Sequence, residues 1–264
     1  MNLKHLFIVF ISIFISCSQS DKSFFDNSSE ASFDNALSLF VSEKYIRAKS
    51  EFEFLIFNNP GSRNAILSQF HYSECLFYLE DYYEAIQQFE KYISISTDSK
   101  LITISKFLIC KSYFELSLDY DKDQTDTEIA INKCQYFVEE YSNLRNKKIE
   151  IHNEMIDLII SSENMIKDLR TKLAKKNLES GNLYIRIEEY DAALKYFNLI
   201  LSEYYDTPFV DDALYSIVLT NLLNNNKAEA EIFLNLYKND FEDEKKLEES
   251  EKLLNNIKFS NNNY

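Results

Sequence analysis

Three alternating aspartates, Asp119, Asp121 and Asp123, form the pattern in this sequence that comes nearest to a cation site. Alternating carboxylates can bind calcium or act as catalytic carboxylates, because hard cations prefer oxygen ligands. The common calcium loop also needs a central Gly and a distal Glu, and this segment has neither. The sequence therefore favours a solvated loop that precedes a helix, and we expect no metal, no cofactor and no catalytic residue.

Cysteine and histidine chemistry has little support in the body of the chain. Cys75, Cys110 and Cys134 are 35 and 24 residues apart, which matches no zinc or redox pattern. An odd number leaves at least one thiol free, and their positions in apolar helical patterns favour core packing over a disulfide or a nucleophile. His71 and His152 lie far apart in sequence, with no ligand-type neighbour.

Cys17 is the one side chain for which the sequence indicates covalent chemistry. A cationic start precedes an apolar run of ten residues, 6–15, which is too short for the roughly 20 residues of a membrane span and typical of a signal peptide. The segment Phe14–Cys17 resembles a bacterial lipobox, in which the Cys thiol is diacylglycerylated and the peptide is cut before it. The alternative is an ordinary signal peptide with an incidental Cys.

The residues around Cys17 define the first two segments of the chain. We expect a signal peptide over 1–16, then the lipidated Cys and a flexible linker over 17–32, which is rich in Ser, Asp and Asn. Ser18, in place of Asp, resembles the signal for sorting to the outer membrane.

Composition indicates helices as the elements that position these residues. Gly and Pro each occur only twice in 264 residues, whereas sheets and Gly-rich phosphate-binding loops need more turn residues. The formal net charge of −15 would repel a phosphate backbone, so nucleic acid is not an expected partner.

Internal repeats are the main signal. An aromatic residue, Ala and two bulky residues recur at offsets 0, 3, 7 and 10, most clearly from Tyr45 and from Tyr82. A small residue, such as Gly181, precedes the Ala by twelve positions where two helices would cross closely. The alternative is an unrelated helical bundle in which Ala and Phe fall at these spacings by chance. The repeat-packing positions are Ala48, Ala85, Ala130, Gly181 and Ala193.

The spacing of these repeats predicts the architecture. We expect an all-α tetratricopeptide-repeat solenoid of about five helical hairpins, with a long helix joining its N- and C-terminal halves. Three repeats would occupy 33–145, and the long helix and two further repeats would occupy 146–264. The predicted helices are 33–42, 45–58, 63–79, 82–95, 100–118, 125–141, 146–187, 190–204, 208–223, 227–238 and 243–257. Ser62 and Thr207 are the expected caps of the helices that follow them.

Together these features resemble the BamD family of outer-membrane assembly lipoproteins. The resemblance spans nearly the whole chain, and its most specific segments are 121–125, 169–176, Gly181 with Tyr184, 190–193 and 204–207. It implies a lipid-anchored, periplasm-facing scaffold of the β-barrel assembly machinery. The C-terminal repeats would dock on the periplasmic domains of the barrel-bearing subunit, beside other assembly lipoproteins, and the N-terminal repeats would offer a groove to client barrels.

Individual partner-binding residues are weakly indicated. A repeat protein can hold an extended or helical peptide in an aromatic groove, and Tyr72, Tyr78, Tyr113 and Phe114 lie on suitable helices. Core packing is an equally good interpretation of each of them. Arg186 and Glu188, near the end of the predicted long helix, mark a further candidate region.

Two other hypotheses remain open from the sequence. The chain could be another periplasmic repeat lipoprotein, an adaptor associated with the envelope or peptidoglycan. A regular array of repeats would favour that adaptor, whereas the long linking helix favours the assembly scaffold. The third hypothesis, a hydrolase, depends on the three aspartates alone.

Overall fold

The computed structural model describes residues 20–152 and 154–261, with side chains described over 30–152 and 154–255. These ranges are mostly helical, as the composition predicts. The helices are α1 (Ser20–Val41), α2 (Tyr45–Asn58), α3 (Arg63–Tyr78), α4 (Tyr82–Ile95), α5 (Ser99–Leu116), α6 (Thr125–Glu140), α7 (Leu158–Arg186), α8 (Tyr190–Glu203), α9 (Val210–Leu223), α10 (Lys227–Tyr237) and α11 (Glu244–Asn261). A short 3-10 turn (Ser142–Leu144) and strands β1 (Lys148–Ile151) and β2 (Glu154–Asp157) lie between α6 and α7.

The chain divides into two compact units, the N-terminal unit over 1–112 and the C-terminal unit over 113–264. In the N-terminal unit α1 packs on α2, α2 on α3 and α3 on α4. In the C-terminal unit α6 packs on α7, α7 on α8, α8 on α9, and α9 on both α10 and α11. Successive helices therefore pack on each other as helical hairpins, and the predicted all-α fold class is confirmed.

The small residues of the repeats lie where helices approach each other. The four alanines are fully buried: Ala48, Ala85, Ala130 and Ala193. At Gly181 a Cβ would overlap the ring of Phe197 on the next helix. The absence of a side chain therefore lets α7 and α8 approach closely, and it offsets the helix-weakening effect of a mid-helix Gly.

The segment 146–157 corrects the predicted long helix, which we expected to span 146–187. Strands β1 and β2 pair antiparallel in this segment, with Ile149 opposite Ile156, and α7 begins only at Leu158. Asp157 accepts hydrogen bonds from the backbone N–H groups of Ile159 and Ile160, both at 3.1 Å, and so defines the start of α7. The helix predicted over 146–187 is therefore wrong over its first twelve residues, 146–157, where the chain forms this hairpin.

Two predicted boundaries also differ from the structure. α1 begins at Ser20, inside the range 17–32 that we expected to be a flexible linker. Residues 20–32 contain no Gly or Pro, so nothing stops a helix from extending back through them. The division between units falls within α5 and not near residue 145, because α6 packs on α7.

The cysteines differ from one another. Cys110 and Cys134 are buried, but each takes part in a disulfide, so the preference for core packing over a disulfide is wrong for these two residues. Spacing along the chain does not show which cysteines take part in disulfides, which is why the sequence did not reveal this. Cys75 is a free, buried thiol, and burial raises its pKa to about 12.

None of the helices in the described part of the chain is both long enough and apolar enough to cross a bilayer.

Candidate protein-docking site

A groove of about 730 Å³ lies within the C-terminal unit, lined by α7, the α8–α9 turn, the start of α9 and the chain that follows α10. We call it the C-terminal groove. Its lining includes Lys167 and Thr171 on α7, Tyr205 and Pro208 in the turn, Val210 and Leu214 on α9, and Tyr237 and Asp240 beyond. These segments are far apart in sequence, so contacts between them must hold the walls of the groove in place if it is to exist before a ligand binds.

Arg170 fixes the first wall of the groove. Its Nε donates to both carboxylate oxygens of Asp206, at 3.1 and 3.0 Å, and its Nη2 donates to Asp206 and to the carbonyl oxygen of Glu203 at 2.6 Å. The guanidinium also lies 5.6 Å from the ring centroid of Tyr204. This hydrogen bonding lowers the pKa of the Asp206 carboxyl, which therefore stays ionised at neutral pH. We call this arrangement the Arg170 clamp.

Asp211 fixes the opposite wall. Its two carboxylate oxygens accept hydrogen bonds from the backbone N–H groups of Glu242 and Asp243, at 3.1 and 2.8 Å. An ion pair between Lys246, in the first turn of α11, and Asp212, in the first turn of α9, joins these parts of the chain a second time. The chain after α10 is thereby held against the first turn of α9.

The groove presents aromatic and acidic groups to solvent. Tyr205 is 71% exposed, although its neighbours in the turn are held by the Arg170 clamp. Asp240 and Glu242 are exposed on the rim, and Lys167 is the single basic residue of the lining. Such a surface suits an extended peptide that carries apolar and basic side chains.

The aspartate loop belongs to a different arrangement. Lys172 donates to the carbonyl and hydroxyl oxygens of Ser117, at 3.0 and 2.8 Å, and Lys176 donates to the carbonyl of Lys122 at 2.9 Å. Lys175 lies 4.2 Å from the ring centroid of Tyr120. Three lysines of α7 thus hold the loop, and burial lowers the pKa of Lys172. We call this arrangement the lysine clasp.

The three aspartates have separate roles in that loop. Asp121 pairs with Lys122 at 2.8 Å, and Asp123 accepts a hydrogen bond from the N–H of Thr125 at 2.9 Å. The carbonyl of Asp119 accepts one from Gln124 at 2.7 Å. Among the described residues, no three His, Cys, Asp or Glu side chains are grouped in a way that could hold a metal ion.

Arg186 and Glu188 lie at the C-terminal end of α7 and are both exposed. Arg186 is the last helical residue, and Glu188 has a left-handed backbone with φ of 61°. Leu183 and Ile187 beside them are half-exposed apolar side chains. This second surface, the α7-end patch, combines one cation with exposed apolar groups.

The four candidate aromatic residues fall in different units. In the N-terminal unit, Tyr72 is partly buried against the core, and Tyr78 stacks on Tyr45 with centroids 4.9 Å apart. In the C-terminal unit, Tyr113 and Phe114 are half-buried on α5. All four therefore contribute to packing and keep an accessible part. Cys17 and residues 1–16, which the sequence predicts to be a signal peptide, lie outside the described residues.

Sequence reasoning did not find the C-terminal groove, because its lining comes from four separated segments. The only signal was the similarity of Tyr204–Thr207 to a family motif, and this motif turns out to hold the groove's first wall. Thr207 is not the expected helix cap: its hydroxyl donates to the carbonyl of Tyr204 at 2.7 Å, and α9 begins three residues later.

Comparisons with known proteins found similarities to one curated protein and to several solved structures. The chain is 23% identical, over 187 residues, to the outer membrane protein assembly factor BamD of Rickettsia prowazekii (strain Madrid E), and the match covers 70% of this chain and 69% of that protein. Among solved structures, MamA covers 86% of this chain and 93% of its own, at 13% identity and a TM-score of 0.35. A tetratricopeptide repeat protein from Parabacteroides merdae covers 88% of each, at 14% identity and a TM-score of 0.36.

A family model, YfiO, described as an outer membrane lipoprotein, matches residues 25–235. The matched range includes the Arg170 clamp, the lysine clasp and the α7-end patch, and the resemblance to BamD noted in the sequence is confirmed. Because the model covers well over half of the chain, this protein belongs to the YfiO family of outer membrane lipoproteins.

Proposed function

We propose that this chain is the lipid-anchored scaffold of a β-barrel assembly machinery at the outer membrane. Its family and its BamD relative support a role in outer-membrane assembly. Cys17 carries the lipid, and the folded body faces the periplasm and binds protein partners without catalysis. The partners are the barrel-bearing subunit with its periplasmic domains, other assembly lipoproteins, and client barrels.

The observation that carries the docking role is the C-terminal groove, whose walls are fixed before any partner binds. Binding costs less when the surface is already ordered, because fewer side chains and loops lose freedom on association. The Arg170 clamp and Asp211 supply that order, and Tyr205 offers an exposed aromatic ring, a residue type enriched in interface hot spots. We assign this groove to a segment of the barrel-bearing subunit.

The α7-end patch supports a second contact with the same subunit. Arg186 is an exposed cation between half-exposed Leu183 and Ile187. Arg is enriched at interfaces because its planar guanidinium can bind carboxylates and pack on apolar groups at once. Glu188, in the turn that follows, adds an exposed carboxylate to this surface.

Client binding is assigned to the N-terminal unit. Tyr72 and Tyr78 combine a packed ring with an accessible part, as expected for side chains that meet an extended aromatic-rich segment. A photo-crosslinking residue at either position should capture unfolded barrel clients, and the same residue at Tyr136, on α6, should not.

The decisive experiment is affinity purification of the full chain from detergent-solubilised membranes. We expect to recover a barrel protein with repeated periplasmic domains, and to lose it with Tyr205→Ala or Arg186→Glu. Tyr136→Ala is the matched control for Tyr205, because Tyr136 is 70% exposed and lies outside the groove. Lys195→Glu, at an exposed lysine of α8, is the control for Arg186.

One result would count against the scaffold role, and another would count against the two assigned interfaces. Recovery of wall-associated proteins alone would favour an envelope or peptidoglycan adaptor. Recovery of the barrel protein with every variant would agree with the scaffold role. It would also show that the interface lies outside the C-terminal groove and the α7-end patch.

A further inference from the structure

One face of α2 in the N-terminal unit carries apolar side chains that are largely exposed to solvent. The inward residues Ala48, Phe52 and Leu55 are at most 1% exposed. On the opposite face, Phe57 is 84% exposed, Ile46 is 69% exposed and Phe54 is 59% exposed. At about 100° per residue, the outward residues fall within an arc of about 80°. We call the face formed by Ile46, Ser50, Phe54 and Phe57 the α2 stripe.

Ser50 in the stripe and Asn58 beside it both turn their polar groups back into the helix. The hydroxyl of Ser50 donates to the carbonyl of Ile46 at 3.2 Å, and the amide of Asn58 donates to the carbonyl of Phe54 at 2.8 Å. Side chains already bonded to the backbone lose less on leaving water than free ones would. The stripe is therefore more apolar than its composition alone indicates.

The ring contacts show that α1 and α2 run antiparallel. Phe40 lies 5.4 Å from Tyr45 and Phe33 lies 5.9 Å from Phe52, between ring centroids. In each pair the two residue numbers add up to 85, as they do at equal heights on two antiparallel helices. By the same rule Phe57 lies level with residue 28 of α1. The exposed aromatic end of the stripe is thus the end nearest the start of α1, at Ser20.

Cys17 is only three residues before that start. From residue 28 back to Ser20 the helix rises about 12 Å, at about 1.5 Å per residue. Three further residues reach at most about 11 Å even when fully extended. The end of the stripe is therefore held within roughly 23 Å of the lipid-bearing residue, measured along α1.

We propose that the α2 stripe lies in the headgroup region of the bilayer that holds the anchor. This proposal rests on the lipidation of Cys17 proposed above. An apolar helix face that meets a membrane sinks to the boundary between headgroups and acyl chains, and a second contact strengthens a lipid anchor. Exposed Glu53 and Arg47 flank the stripe on its two sides, which matches the paired charges of a zwitterionic headgroup.

The chain contains no tryptophan, so a single substitution supplies a fluorescent probe without background. We would purify the lipidated full chain carrying Phe57→Trp and reconstitute it in phosphatidylethanolamine vesicles doped with brominated phosphatidylcholine. The tryptophan should show a blue-shifted emission and lose roughly half of its intensity, because the bromines lie at the depth that interfacial helices reach. Tyr136→Trp, at a similarly exposed ring of α6, is the matched control and should keep a water-exposed emission without quenching.

Flotation of the vesicles separates failure of the inference from failure of the anchor. Protein that floats while the Phe57→Trp probe stays water-exposed overturns the inference and leaves the anchor intact. Equal quenching of the Tyr136→Trp probe also overturns it, because the signal would then report general proximity. Protein that fails to float contradicts the anchor itself. Quenching of an Ile46→Trp probe to a similar extent would further support the inference, by showing that α2 lies along the membrane plane.

Discussion

The two units use different interactions to hold their helices and loops. In the N-terminal unit, aromatic side chains from successive helices pack on one another: Phe52 stacks on His71 at 5.3 Å and Tyr45 on Tyr78 at 4.9 Å, between ring centroids. In the C-terminal unit, one helix carries charged side chains that bind distant loops through the Arg170 clamp and the lysine clasp. The comparison teaches that packing of buried rings dominates the order of the first unit, whereas the second also needs polar contacts with distant loops to shape its groove.

The largest expected effect is loss of packing in the N-terminal unit. Phe52 is fully buried between α1 and α3, and Phe52→Ala should lower the free energy of unfolding by about 3–5 kcal/mol. Urea unfolding of the intact chain would measure this loss. Phe57→Ala, on the exposed face of the same helix, should change stability by less than about 0.5 kcal/mol. Equal effects of the two substitutions would show that burial does not order this unit.

A smaller loss of stability should follow when a side chain is added at the point where α7 and α8 cross in the C-terminal unit. Gly181→Ala gains about 1 kcal/mol of helix propensity but forces a Cβ into the ring of Phe197, which costs about 1–3 kcal/mol or somewhat more. We expect net destabilisation, measured by urea unfolding, that Phe197→Leu in the same chain partly relieves. Additive losses in the double variant would contradict the overlap.

The smallest expected effect on stability comes from breaking the Arg170 clamp. Because the pair is partly exposed, Asp206→Asn should cost only about 1 kcal/mol. It should nevertheless release the α8–α9 turn and speed amide exchange of Tyr205 and its neighbours. Hydrogen exchange of the C-terminal unit is the measurement, and Asp191→Asn, at an exposed carboxylate of α8, is the control.

The same clamp predicts a pH dependence with a definite sign. The pKa of Asp206 is lowered from its ordinary 3.8 by Arg170, so its contribution to stability is complete above that value. This contribution is lost as the pH falls through the lowered pKa. Titration of amide exchange in the turn should therefore show protection at neutral pH and its loss only in strong acid. A loss already near pH 6 would identify another group.

The repeat pattern was sufficient to predict the helices that surround a small crossing residue. The bounds of α2 and α4 agree with the prediction at both ends, because a buried Ala and a buried aromatic fix the phase of each. Ser62, expected as a cap, does accept a hydrogen bond from the N–H of Ala65 at 3.1 Å. Local patterns of this kind depend on residues within one or two turns of each other.

What the sequence did not reveal depends on contacts between distant segments. Strand β1 alternates polar and apolar residues over only four positions, and β2 does not alternate at all. That pattern is too short to outweigh a helical interpretation of the surrounding sequence. The C-terminal groove and the roles of Arg170 and Lys172 require knowledge of which loop lies opposite α7. Partners 36 and 55 residues away leave no periodic signal.

The hairpin before α7 has a consequence for how this chain can vary. α7 has 29 residues, and at successive levels it carries Glu163 for Arg145, Arg170 for the α8–α9 turn, and Gly181 for Phe197. One residue inserted within it would rotate every later contact by about 100°, and all would be lost together. The turn at residue 152, where a positive φ already reverses the chain, can absorb added residues without changing that register. Differences in length between relatives should therefore accumulate in the hairpin, while α7 keeps a constant number of turns.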